Sequence, residues 1–256
     1  MPETFWGWVA YLAKDYMPLF LSGIKNTMII AITGTVLGFL LGLIVATVKT
    51  IEPGKSGGAR AVLVRVLQFI MSAYIEIFRG TPMIVQAMVI YYGIFQSVSI
   101  DKTVAAIFIV SINTGAYMAE IIRGGIISVD AGQTEGALSV GMTHWQAMAN
   151  VVLPQAIRNI MPSIGNEFVV NIKDSSVLSV ISVSELFFAG KSAAGTYLKY
   201  FEVFFIIAVI YFVLTFTVTR LLRFIEKKMD GDGTYVVTGS QSDSRSVIKV
   251  EKRSAR

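Results

Sequence analysis

Long apolar runs separated by short polar segments dominate this sequence. The first run covers residues 27–48 and contains no charged residue, and similar runs cover residues 103–122, 164–188 and 200–222. A helix needs about 20 mostly apolar residues to cross the hydrocarbon core of a bilayer. Each run therefore predicts one transmembrane helix, and the predicted fold class is an all-α, polytopic membrane protein.

Residues 62–95 form a further apolar stretch, which charged and helix-breaking residues interrupt. A straight helix of this length would measure about 50 Å, which is too long for one span. Glycine and proline within the sequence Phe78-Arg-Gly-Thr-Pro82 predict a break there. We interpret the stretch as a partly cytoplasmic helix, a break and a span up to residue 95. Two short spans over residues 62–97 are the alternative.

The two ends of the chain differ from the predicted transmembrane domain, residues 27–229. Residues 1–26 carry Lys14 and Asp15 within an apolar stretch and have no basic start, which argues against a cleaved signal peptide. They predict an amphipathic helix at the membrane interface. Residues 230–256 are polar and rich in glycine, serine and charge, which is typical of a disordered tail.

Basic residues select the number of crossings, because lysine and arginine are enriched in cytoplasmic loops. They cluster in residues 49–65, 123–158 and 220–228. Five crossings, rather than four or six, place all three regions in the cytoplasm. The predicted orientation has the N-terminus outside and the C-terminus inside, with short outer loops near residues 101–102 and 190–199.

Composition agrees with a membrane protein and excludes several kinds of site. Hydrophobic residues make up 54% of the 256 residues and charged residues 15%, whereas soluble domains carry about 25% charged residues. The net charge of +5 fits cytoplasmic loops, so no nucleic-acid partner is predicted. With no cysteine and a single histidine, His144, we predict no metal site and no membrane-embedded hydrolase.

The polar segment at about residues 127–160 has a helical pattern of its own. An amphipathic helix includes Glu135 and Ala137 and meets Gly141, a residue suited to a left-handed C-cap. Thr143 can cap a second helix, which runs to Leu153 and Pro154, where the proline bends or ends it. The pattern predicts two short helices at an angle on the cytoplasmic face.

This loop carries a resemblance to a known family. The spacing Glu135-Gly-Ala137-x3-Gly141, followed by Leu153-Pro154, resembles the coupling motif of permease subunits of ATP-binding-cassette importers. Glycine at position 136 replaces the alanine usual in the motif. Further segments resemble the branch that imports polar amino acids of the histidine, glutamine and arginine type: residues 78–82, 116–126, 153–156, 165–168 and 173–181.

The resemblance implies a set of partners. Two permease subunits, identical or paralogous, form one pathway in the bacterial inner membrane, and an extracytoplasmic binding protein delivers the amino acid. Two ATPase subunits hold ATP and Mg²⁺, and the coupling loop contacts them through Glu135, Ala137, Gly141, Leu153 and Pro154. This chain has no Gly-x4-Gly-Lys-Ser/Thr phosphate loop, so we expect it to be no enzyme and to hold no cofactor. A secondary transporter or channel is the alternative.

Polar residues inside the fourth predicted span are candidates for the substrate pathway. Glu167, Asn171 and Asp174 are spaced i, i+4 and i+7, which puts them on one helical stripe. Charges within a span cost roughly 2.5–3.5 kcal/mol each, so they face protein or water. Such acceptors suit an ammonium or guanidinium group. The alternative is structural pairing of Asp174 with Lys173 or with an arginine of another helix.

The third predicted span shows a similar spacing. Asn113 and Tyr117 are candidates for lining the pathway. Glu120 lies near the predicted cytoplasmic end, where we expect it to pair structurally with Arg123 at i+3.

Two further pathway candidates lie at the break in the second span. Arg79 could meet a substrate carboxylate, or it could pair with Glu76 at i+3. Thr81 stands at a helix start, where an anion is favoured.

A stripe of small residues runs along the first span. Gly34, Gly38 and Gly42 are four residues apart, a spacing that lets two helices approach closely. We interpret the stripe as packing within the subunit, with a contact between two permease subunits as the alternative.

Overall fold

The computed structural model describes residues 1–51, 58–98 and 100–230. The predicted disordered tail falls outside the described residues, apart from residue 230. Helices account for the described fold, which confirms the all-α class. They are α1 (Phe5–Asp15), α2 (Met17–Thr50), α3 (Ala59–Gly80), α4 (Met83–Ile90), α5 (Lys102–Ile127), α6 (Ala131–Ser139), α7 (His144–Ala147), α8 (Leu153–Asp174), α9 (Leu186–Tyr197) and α10 (Tyr200–Asp230).

Four helices, α2, α3, α5 and α10, have the length and apolar composition of a membrane span. A fifth results if the helical run His144–Ile181 and α9, which meet at a bend of 52°, count as one broken span. This agrees with the predicted number of about five. α5 is the central helix, in contact with α2, α3, α4 and α8.

The glycine stripe of α2 packs against α5. Methyl groups built on its three glycines would lie only 2.5–2.7 Å from side-chain atoms of α5. The pairs are Gly34 with Val110, Gly38 with Thr114, and Gly42 with Met118. The predicted packing within the subunit is confirmed. The close approach of these two backbones depends on the absence of a Cβ.

The N-terminal boundary differs from the prediction. α2 begins at Met17 rather than at Thr27, so residues 17–26 belong to the first long helix. Only α1 precedes it, and α1 packs against the start of α10 and the end of α9. The ring of Phe5 lies 5.4 Å from that of Phe201, and the ring of Trp8 lies 5.7 Å from that of Tyr197. The location of α1 at a membrane interface stays a prediction.

The predicted break in the second apolar stretch is confirmed, since α3 ends at Gly80 and α4 begins at Met83. Both halves follow α5: the Tyr74 hydroxyl donates to the Ile112 carbonyl over 2.6 Å, and Ala87 shares a buried cluster with Ile109. α3 alone is long and apolar enough to cross a membrane, which differs from the predicted partly cytoplasmic helix, and Met83–Val98 is a shorter apolar helix. Gln68 Nε2 donates to the Ile51 carbonyl over 2.8 Å, so the beginning of α3 extends past the end of α2.

The predicted fourth span, residues 164–188, is wrong as a straight helix. α8 ends at Asp174, a 3₁₀ segment follows over Ser175–Ile181, and Ser182 has a left-handed backbone with φ 60°. Residues 190–197, expected in an outer loop, belong to α9 instead. Glu185 accounts for the restart, because its side chain caps the N-terminus of α9.

Candidate functional site

α8 carries the two carboxylates that were predicted from the sequence to line the substrate pathway. Glu167 and Asp174 are both half-buried. Within the described residues neither forms a hydrogen bond or an ion pair shorter than 4.0 Å. These carboxylates are therefore free to accept a cationic group, and their role in the pathway stays a prediction.

Asn171, predicted on the same stripe, has a different environment. It is 3% exposed, and its Nδ2 donates to Thr35 Oγ1 over 2.8 Å while its Oδ1 accepts from Thr114 Oγ1 over 3.0 Å. Its amide thus joins α8 to α2 and α5. Its hydrogen-bonding groups are buried and satisfied within the subunit, and its role in the pathway stays a prediction.

Arg79, at the end of α3, contacts two residues of α5. Its guanidinium lies 5.5 Å from the centre of the Tyr117 ring and 3.8 Å from Glu120. The alternative pairing with Glu76 is thus not what the structure shows. Glu120 also pairs with Arg123 over 2.8 Å, as predicted. α3 and α5 therefore bring Arg79 together with Tyr117 and Glu120.

The remaining two pathway candidates support the helix break. Asn113 is 8% exposed, and its Nδ2 donates to Gln86 Oε1 over 2.8 Å. Gln86 Nε2 in turn donates to the carbonyls of Phe78 and Thr81, each over 2.9 Å. The Thr81 hydroxyl donates to the Ile77 carbonyl over 2.7 Å. Asn113 thus supports the helix break from a buried position, and the Thr81 hydroxyl already has a partner. The pathway roles of both residues stay predictions.

Sequence reasoning missed Gln86 and a second buried polar residue, Glu185. Glu185 is completely buried, and its carboxylate accepts hydrogen bonds from the backbone N–H groups of Phe187 and Phe188, over 2.8 and 2.7 Å. The hydroxyl of Tyr211 on α10 also donates to it, over 3.0 Å. The available signal was a lone polar residue in an apolar run, since such a residue needs partners in a membrane.

The loop at residues 127–160 contains the two short helices that were predicted. α6 ends in a Schellman motif: Gly141 N donates to Leu138 O over 3.0 Å, Met142 N donates to Ala137 O over 3.2 Å, and Gly141 has φ 87°. Thr143 then caps α7 in a capping box with Gln146. A residue with a Cβ would be strained at Gly141.

Pro154 does not end the second helix. A π-helical turn over Met148–Val152 precedes it, and Leu153 N donates to Met148 O. The wider turn accommodates a residue that has no N–H to donate. The helical run therefore continues from His144 to Ile181, through α7 and α8.

The predicted coupling residues divide by exposure. Glu135, Gly141, Leu153 and Pro154 are exposed, whereas Ala137 is 7% exposed and belongs to the packing of α6. Trp145 and Val140, which the sequence did not single out, are 83% and 76% exposed. An exposed tryptophan beside a structured turn is typical of a protein-binding surface.

Comparison with known proteins assigns the chain to a family. The sequence model of the binding-protein-dependent transport system inner membrane component matches residues 55–231. The chain belongs to this family. It is 34% identical over 216 residues to the glutamine transport system permease protein GlnP of Escherichia coli, an alignment that covers 83% of this chain and 94% of that protein.

Other relatives carry different substrates in their names. The arginine transport system permease protein ArtQ of Bacillus subtilis is 32% identical to this chain, and the alignment covers 83% of this chain and 93% of that protein. The L-cystine transport system permease protein TcyB of Bacillus subtilis is 35% identical to this chain, and the alignment covers 85% of this chain and 89% of that protein.

Solved structures of ATP-binding-cassette transporters are also similar to this chain. The crystal structure of an amino acid ABC transporter with histidines has a TM-score of 0.77 and 39% identity, covering 89% of this chain and 100% of that one. The inward-facing MetNI methionine ABC transporter has a TM-score of 0.68 at 21% identity, which supports the fold alone, and covers 83% of this chain and 97% of that one.

Family membership settles the class of protein. The chain is a multi-pass inner membrane permease subunit of an ATP-binding-cassette importer of the polar amino acid uptake type. It is not an enzyme itself, because ATP hydrolysis in such importers takes place on a separate subunit. An ATPase and a binding protein are its partners in general terms, and a secondary transporter is not favoured.

Proposed function

We propose that the polar face formed by Arg79, Tyr117, Glu167 and Asp174 lines the pathway for a cationic amino acid. The observation that carries this proposal is the pair of half-buried carboxylates on α8 without a hydrogen bond or ion pair among the described residues. Seven residues separate them, or about 10 Å along the helix axis. This spacing gives an ammonium or guanidinium group two successive acceptors.

The free-energy cost of placing a carboxylate inside a membrane span supports the assignment of Glu167 and Asp174 to the pathway. An unpaired carboxylate within a span costs roughly 2.5–3.5 kcal/mol unless it faces water or an opposite charge. A pathway between two permease subunits supplies the water, and a cationic substrate inside it supplies the opposite charge. Arg79 offers a complementary group for the substrate carboxylate at the same face, with 44% of its side chain exposed beside Glu120.

The proposal also covers the contact with the ATPase, the orientation of the two termini and the other subunits of the importer. The exposed surface around Glu135, Gly141, Trp145, Leu153 and Pro154 contacts the ATPase, which holds ATP and Mg²⁺. The N-terminus lies outside and the C-terminus in the cytoplasm. A second permease, either a copy of this chain or a paralogue, completes the pathway, and a binding protein delivers the amino acid from outside.

Transport by reconstituted complex tests the pathway. The variants are Glu167→Gln and Asp174→Asn, and Glu3→Gln at an exposed position serves as the control. A lost charge-assisted hydrogen bond is worth roughly 1.5–3 kcal/mol, so we expect about a ten- to hundredfold loss of apparent affinity for arginine and lysine. Glutamine transport should change less. Histidine serves as an intermediate case.

Two outcomes would contradict the proposal. Equal losses for cationic and neutral substrates would assign both carboxylates a structural role, and full retention would place the site elsewhere. Co-purification of an ATPase subunit with the tagged chain tests the coupling surface separately. Uptake that persists without that subunit would favour a transporter driven by an ion gradient.

A further inference from the structure

A groove with three basic side chains runs between α8 and α10, on a different side of α8 from the two pathway carboxylates. It encloses a cavity of about 300 Å³, and its lining includes Lys173, Thr215, Phe216, Thr219, Arg220 and Arg223. We refer to it as the basic groove. Lys173 projects from α8, and both arginines come from the last third of α10.

The three cations of the basic groove have no acidic partner among the described residues. None of them forms an ion pair shorter than 4.0 Å there. The guanidinium of Arg220 lies 4.9 Å from the centre of the Phe216 ring, a contact that stabilises the cation but leaves its charge uncompensated. Glu226 lines an adjoining cavity together with Arg223, at more than 4.0 Å from it.

Contacts between helices fix how deep the basic groove lies. Asn171, two residues before Lys173, bonds to Thr114 near the middle of the central helix α5. A methyl group built on Gly165 would lie 3.3 Å from Leu222, so Arg220 and Arg223 flank that level of α8. The groove therefore extends from near the middle of the spans towards the C-terminal end of α10.

The outer wall of the basic groove is apolar and exposed. Phe212, another lining residue, is 67% exposed, and Val213 beside it is 56% exposed. Exposed aromatic and branched side chains on a spanning helix are suited to lipid chains. Three cations without an ion pair shorter than 4.0 Å are unfavourable on such a surface, because each charge in hydrocarbon costs free energy unless an anion accompanies it. The anion available at a lipid-facing surface is a phospholipid headgroup.

We propose that the basic groove binds the anionic headgroup of one phospholipid. Its phosphate lies against Arg220 and Arg223, and its acyl chains follow Phe212 and Val213. Lys173 extends its aliphatic stem along the groove so that its ammonium reaches the same headgroup. Basic pockets between spans on the cytoplasmic side are suited to anionic headgroups. This inference rests on the proposed function only in assigning the C-terminal end of α10 to the cytoplasmic leaflet.

Native mass spectrometry of the full complex tests this binding, with phosphatidylglycerol and phosphatidylcholine as probe lipids. The test variant is Lys173→Gln/Arg220→Gln/Arg223→Gln. The matched control is Lys227→Gln/Lys228→Gln, which removes two exposed charges further along the same helix. We expect each single substitution in the groove to weaken phosphatidylglycerol binding about fivefold, and the triple variant to weaken it well over tenfold. The control should change it less than twofold.

Several results would overturn the proposal. One is equal retention of phosphatidylglycerol by the triple variant and the unsubstituted complex, and another is equal retention of phosphatidylcholine and phosphatidylglycerol. Full competition by inorganic phosphate would indicate a site for a soluble anion instead. A Phe212→Cys variant that cross-links two permease subunits would show that protein covers the groove.

The result for the basic groove is independent of the pathway proposal. ATP-driven uptake of arginine by unsubstituted complex in phosphatidylcholine vesicles tests the transport function alone. If the triple variant binds phosphatidylglycerol normally but raises the apparent KM for the amino acid, the groove belongs to the substrate pathway and the lipid assignment is wrong.

Discussion

The side-chain amide of Asn113 donates to Oε1 of Gln86 over 2.8 Å, and this hydrogen bond joins the centre of α5 to the break between α3 and α4. It orients Gln86 so that its Nε2 meets the carbonyls of Phe78 and Thr81, the two residues that bracket Arg79-Gly80. The position of Arg79 therefore depends on a buried pair of side-chain amides that holds the helix break.

Replacing Gln86 by leucine should destabilise the subunit. The substitution removes the donor to the Thr81 carbonyl and leaves the Asn113 amide and the Phe78 carbonyl with only their long mutual hydrogen bond of 3.5 Å. Each unsatisfied buried group costs about 1–3 kcal/mol. Thermal unfolding of the purified complex measures the effect. Gln96→Leu, at an exposed position in the short 3₁₀ turn beyond α4, should leave the unfolding temperature nearly unchanged. Equal stability of both variants would contradict the supporting role of Gln86.

Gly42→Ala should separate α2 from α5. The added methyl group would lie 2.6 Å from Met118 Cβ and 2.9 Å from the Ala119 backbone nitrogen, so a helix has to move. Overpacking of this kind typically costs 1–3 kcal/mol. Gly124→Ala is the matched control: it lies on α5 with no atom within 4 Å of the added group, and should be neutral or slightly stabilising. The unfolding temperatures of the two complexes give the comparison.

Glu185→Ala should be among the most destabilising single substitutions in the chain. It removes the acceptor of two backbone N–H groups at the start of α9 and of the Tyr211 hydroxyl. Tyr211→Phe removes one of these bonds and should cost about 1 kcal/mol, clearly less than the loss of all three. Glu3→Ala, at an exposed position, controls for the loss of a carboxylate. A smaller effect of Glu185→Ala than of Tyr211→Phe would refute the capping account.

Gly141→Val tests the turn between α6 and α7. Gly141 has φ 87°, and a left-handed backbone costs about 1–2 kcal/mol for a residue with a Cβ and more for a branched one. We expect the variant to reach the membrane but to lose stimulation of ATP hydrolysis by the binding protein. Gly136→Ala, within α6 and with no neighbour near the added methyl, should retain it. Unchanged transport by Gly141→Val would remove the coupling assignment.

The sequence predicted features that depend on local chemistry. Apolar runs located the spans because their length has to match the bilayer, and Gly141 and Thr143 marked helix ends because capping uses neighbouring residues only. α9 was missed for the opposite reason. Its small and polar residues are typical of a loop, but Gly190 lies against Ile207 and Ala193 is fully buried. Packing partners distant in sequence make this segment a helix.

The candidate site shows the same limit. Helical spacing put Glu167, Asn171 and Asp174 on one stripe of α8, but it could not identify which residues lie opposite each of them. Thr35 and Thr114 face Asn171, and both belong to other helices. Gln86 and Glu185 received no role from sequence because their partners are mainly backbone groups at breaks whose geometry only the tertiary structure defines.

The uninterrupted helical run from His144 to Ile181 has a mechanical consequence. Trp145, on the exposed loop surface, and Glu167, on the polar face, belong to the same rod, about 33 Å apart along its axis. Between the two residues the helix passes through the π-turn at Met148–Val152 and through Pro162, which removes one hydrogen bond from the interior of α8. The stiffness of these two places therefore limits how far a displacement of the loop surface extends along the run towards Glu167.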